Sequence, residues 1–154
     1  MNGDKQVSTL LDEYKKPLKK LFKYDKSKAL KFDKESRSEV VNQKGIYVIF
    51  KNKSPLFVGQ AGGYMTGYKL TQKDLNDKLA QYNLKSTAGT AKFKRTYVQD
   101  QKLDESEVNN IKAEEQNLRF QYIKVKNNPA MINLLEVLAL EYAKDNKIDL
   151  YNFS

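Results

Sequence analysis

Two short apolar runs, GIYVIF at 45–50 and PLFVGQ at 55–60, flank the polar tetrapeptide Lys51–Ser54. Runs this short, joined this closely, read as the two strands of an antiparallel hairpin, over Gly45–Phe50 and Pro55–Val58. A plain hairpin needs no glycine beside an aromatic residue, and its second strand need not break into AGGYMTG. Glycines at 59, 62 and 63 let a backbone come close to another group, and a phosphate is the expected visitor.

Around this hairpin the pattern changes period. Leu10, Leu11, Tyr14, Leu18, Leu21 and Phe22 fall on one helical stripe with Lys15, Lys16, Lys19, Lys20 and Lys23 opposite. Pro17 is expected to kink this segment or to start a second helix. Residues 24–44 read as a polar connection into the core. Lys73–Leu84 and Thr90–Gln99 read as helices, and an acidic-start helix follows over 104–117, capped by Asp104 or Ser106. LRFQYIKV alternates imperfectly and reads as a third strand over Arg119–Val125. In NNPAMINLLEVLALEYAKDNK, Asn128 caps a helix, Pro129 suits its first position, and an almost wholly apolar middle predicts burial against the sheet. Glu136 breaks that pattern. It shares a helical face with Ile132, Ala139, Leu140 and Ala143, and an unpaired carboxylate there costs several kcal/mol unless a cation, a hydrogen bond or water meets it.

Chemistry is narrowed by what the chain lacks. With no cysteine and no histidine among 154 residues, thiolate and imidazole metal sites are excluded, and a metal would be a hard cation on carboxylates. A net charge of +9 suits a polyanionic partner. The basic residues are nearly all lysine, with arginine only at 37, 95 and 119. Lysine supplies point charge for phosphates, whereas arginine is favoured for base readout. No apolar run approaches the roughly 18 residues of a membrane span and no leader-like segment opens the chain, so a cytoplasmic protein without a membrane partner is expected.

GIY at 45–47, FVG at 57–59, a glycine-containing loop leading to a helix, Glu136 within LLE and a terminal YN together resemble the GIY-YIG nuclease family, over roughly Glu39 to Phe153. The resemblance implies an α/β fold with a small central sheet of about three strands flanked by helices. It divides the chain into a basic amphipathic helical extension, 1–38, and a nuclease-like domain, 39–154. The implied activity is hydrolysis of DNA phosphodiesters, with duplex DNA as partner and Mg²⁺ or Mn²⁺ as cofactor. Tyr47 then orients or deprotonates the attacking water, Glu136 binds the metal, and Asn152 supports the site. Phe57 stands where the family has tyrosine, and Lys78 where it has arginine. Tyr82 falls near a family histidine, and Arg95 is a substitute cation for the phosphate.

One carboxylate can hold Mg²⁺ when water and phosphate oxygens complete the octahedron. The departures at 57 and 78 open an alternative, a degenerate domain that binds nucleic acid without cleaving it. A protein-interaction module with an incidental basic surface is a third reading. Oligomeric state and sequence specificity leave no mark in the sequence.

Overall fold

The computed structural model describes residues 1–71, 73–126 and 128–154. It is an α/β fold whose sheet has four antiparallel strands in the order β1-β4-β2-β3: β1 Leu30–Lys31, β2 Gly45–Lys51, β3 Ser54–Ala61 and β4 Arg119–Lys124. The expected hairpin is β2–β3. Its turn is the pair Asn52 and Lys53, both at positive φ (49° and 73°), the mirror-image turn whose twist suits a tight hairpin. The sheet has one strand more than the three expected, because β1 is two residues long and too short to carry a period.

β2 lies between β3 and β4, and its residues 45–50 are all buried. That explains an apolar run without alternation: Ile46, Val48 and Phe50 face one helical layer, Tyr47 and Ile49 the other. The first layer is α1 (Gly3–Phe22) with α5 (Pro129–Asp145). The second is formed by α2 (Lys34–Arg37), α3 (Leu75–Ala80), α4 (Ala91–Asp100) and the turns around them. Full burial of each large apolar side chain in these layers contributes roughly 1.5–3 kcal/mol.

Several local expectations are corrected. Pro17 does not start a second helix; α1 runs through it. The segment 104–117 is not an α-helix but a 3₁₀ stretch, Glu105–Asn110, followed by turns. Its Val and Asn residues are weak helix formers; Ile111 and Ala113 are buried, and Val108 packs on the core only in part. The α5 helix starts as read, with Asn128 Oδ1 accepting from the Met131 amide at 3.0 Å and Pro129 in the first turn. It is not buried all round, since Leu134 and Val137 face solvent.

The first 38 residues are built into the same core. Leu18, Leu21 and Phe22 pack with Ile132, Leu135 and Leu138 of α5. The buried Gln121 of β4 donates to the carbonyls of Lys20, Leu21 and Lys23 and accepts from the Asp25 amide at 2.7 Å, which satisfies the end of α1. Among the described residues no helix is long and apolar enough to cross a membrane.

Candidate functional site

β3 is an edge strand, and the two helical layers meet along it. There, Tyr47, Phe57, Lys78, Tyr82, Glu136 and Asn152 line one pocket of about 240 Å³. Six of the seven residues singled out in the sequence therefore converge from β2, β3, α3, the turn after α3, α5 and the C-terminal turn. Arg95 does not join them. It lies on the exposed side of α4, outside the pocket lining, whereas its neighbour Lys94 points inward.

Tyr47 pairs across the hairpin with Gly59, and its ring lies over that glycine: a Cβ at 59 would stand 2.2 Å from the Tyr47 hydroxyl. Gly59 thus serves Tyr47 rather than a phosphate. The other two glycines likewise meet protein, Gly62 the Lys44 side chain and Gly63 the amides of Asn133 and Gln60. The Tyr47 hydroxyl shares a hydrogen bond of 2.7 Å with that of Tyr82, and both rings are buried. Burial first, then Tyr82, hold the Tyr47 phenol well above its ordinary pKa; burial also raises Tyr82. Neither is a phenolate near neutral pH. The pair can orient a water or an oxyanion but is not a base.

Glu136 reaches the pocket from the opposite layer and makes no hydrogen bond to a described residue. Burial pushes its carboxyl up to about 7, against the opposing pull of Lys78. Such a group takes up a proton or a cation readily. The Lys78 ammonium donates to the Gly89 carbonyl at 2.7 Å, and burial, then Lys73, lower its pKa while Glu136 opposes them. Its remaining N–H groups are open to a phosphate oxygen.

Phe57 is half-buried and meets Phe93 edge-on at 5.7 Å, so no hydroxyl enters the pocket from that position. Asn152 does something the sequence did not announce. Its carboxamide accepts from the Val58 amide and donates to the Val58 carbonyl, both at 2.9 Å, as a neighbouring strand would.

The sequence reading also missed Lys94, a fully buried lysine whose Nζ donates to the carbonyls of Leu84 and Ser86 at 2.7 and 2.8 Å. Burial lowers its pKa to about 8. The signal was available: Lys94 falls three and four residues before the buried Tyr97 and Val98.

Among the described residues no group of three or more acidic side chains gathers as a metal cage. A hard cation here would rest on Glu136 alone, and the donor set fits only a largely hydrated ion such as Mg²⁺ or Mn²⁺. No protein-family model, no curated protein and no solved structure matches this chain.

Proposed function

We propose that the protein is a divalent-metal-dependent DNA endonuclease of the GIY-YIG type. The observation that carries this reading is the meeting of Glu136, a carboxylate with no hydrogen-bond partner among the described residues, with the Tyr47–Tyr82 hydroxyl pair and Lys78 in one pocket. A cation held by Glu136 would supply positive charge to a phosphate and its leaving oxygen. Tyr47 and Tyr82 hold the attacking water by hydrogen bonding, since their protons are too tightly bound for either to act as base. Lys78 offsets charge on the non-bridging phosphate oxygens.

A second reading has its own support. Phe57 brings no hydroxyl to the pocket and Lys78 already spends one donor on Gly89, which favours a domain that binds nucleic acid without cutting it. Plasmid nicking with Mg²⁺ or Mn²⁺ decides between them. The endonuclease reading expects nicking by the wild type, its loss in Glu136→Gln, and retained DNA binding by that variant. Equal nicking by both proteins removes Glu136 from the mechanism, while salt-sensitive binding without any nicking establishes the second reading.

A further inference from the structure

Beyond β3 the chain forms a small finger, residues 62–71. Met65 N–H donates to the Lys69 carbonyl at 2.6 Å, Tyr64 pairs with Leu70, and Thr71 N–H returns to Gly63. The tip turns through two left-handed residues, Gly67 (φ 67°) and Tyr68 (φ 64°). Glycine tolerates this, whereas tyrosine adopts it rarely. Tyr68 is 82% exposed and Met65 57%. The Tyr64 and Tyr68 rings meet at 4.9 Å, so the tip presents an aromatic platform to solvent.

The base of the finger is fixed. Asn133 of α5 accepts from the Tyr64 amide at 2.6 Å and donates to its carbonyl at 2.9 Å. Asn133 lies one helical turn before Glu136, so one helix carries both the finger's anchor and the pocket's carboxylate. Lys44 packs against Gly62 and lines, with Lys124 and Lys126, a cleft of about 230 Å³ at this end of the sheet. Among the described residues no carboxylate lines that cleft. The adjacent Asp74 carboxylate is engaged by the amides of Asn42 and Asp77.

We propose that the finger and this lysine cluster bind single-stranded DNA, with unpaired bases stacking on Tyr68 and Tyr64 and the phosphates tracked by Lys44, Lys124 and Lys126. Exposed aromatic faces bind bases that are out of a duplex, because paired bases already stack on one another. With no carboxylate among the described residues of the cleft lining, the three lysines favour a polyanion over a protein surface. This inference rests on the nucleic-acid partner of the proposed function and not on cleavage. It adds that the substrate carries an unpaired segment beside the reacting phosphate.

The test is a titration of the full chain, in EDTA, with a single-stranded oligonucleotide containing 2-aminopurine, and with the same oligonucleotide in a duplex. Stacking quenches the single-strand signal. Tyr68→Ala should abolish most of the quenching and weaken single-strand binding about tenfold, with Tyr68→Phe close to wild type and duplex binding unchanged. Replacing Lys44, Lys124 and Lys126 by glutamine should reduce the salt slope by about 2, at roughly 0.7 for each single-strand phosphate contact. Unchanged quenching and affinity in a folded Tyr68→Ala chain would overturn the proposal, as would equal losses on single strand and duplex. No binding to any oligonucleotide would also overturn it and leave the finger as a protein-docking surface. A wild type that quenches but never nicks removes only the endonuclease reading; one that nicks without quenching removes only this one.

Discussion

The hydroxyls of Tyr47 and Tyr82 meet at 2.7 Å inside the core, one carried by β2 and the other by the turn after α3. Each is the other's buried partner, so removing one oxygen strands the other. Tyr47→Phe and Tyr82→Phe should each lower stability by about 1–2 kcal/mol, and the double variant by clearly less than the sum. Urea denaturation of the four proteins gives the coupling. Strict additivity would mean that the hydroxyl pair adds nothing to the fold.

Glu136 should make stability depend on pH. Its folded pKa of about 7 stands above the ordinary 4.5, so the folded state holds the proton more tightly. The associated stability is complete below about pH 4.5 and lost as pH rises through 7. Relative to wild type, Glu136→Gln should therefore gain on the order of 2–3 kcal/mol by pH 8 and nothing from this source at pH 4. Mg²⁺ should raise the wild-type melting temperature at pH 8 far more than at pH 5, and leave the variant unmoved. A cation effect of equal size in both proteins would place the ion elsewhere.

Phe57→Tyr should supply the missing hydroxyl. Position 57 is half-buried and lines the pocket, which allows a para oxygen to reach water at small cost in stability. If the endonuclease reading holds, nicking should rise about ten- to a thousandfold. A stable variant that still fails to nick, alone and with Lys78→Arg, points to the binding domain.

The basic face of α1 should be tested by charge and not by truncation, because Leu18, Leu21 and Phe22 belong to the core and deletion would unfold it. Lys15, Lys16, Lys19, Lys20 and Lys23 are all exposed. Changing them to glutamine should weaken duplex binding and reduce its salt slope by up to about 0.9 per lost phosphate contact. An unaltered slope would assign these lysines to solvation alone.

What could be read from the sequence was whatever rested on a period or a cap. β2 showed as an unbroken apolar run because both its faces are covered, and α5 showed through Asn128 and Pro129. Glu136 stood out as a charge on an apolar face, and it does line a pocket. Pairings far apart in the chain were hidden. Gln121 completing the end of α1, and Lys94 serving the carbonyls of Leu84 and Ser86, are hydrogen bonds with no spacing of their own. Charge alone does not distinguish Arg95 from Lys94, and the periodicity of α4 turns Lys94 inward and Arg95 outward. Gly59 was legible as a close approach, but the approaching group, Tyr47, lies on the partner strand and needed the register.

Asn152 has a consequence for how the chain avoids itself. β3 is an eight-residue strand at the margin of the sheet, with backbone groups that would recruit another strand. The Asn152 carboxamide occupies those of Val58 as a one-residue imitation of a fifth strand. A side chain that lines the candidate pocket thus also covers the outward amide and carbonyl of Val58 on the open edge of the sheet. Asn152→Ala would bare that amide and carbonyl beside the pocket, so one substitution would change both the lining of the pocket and the stickiness of the edge.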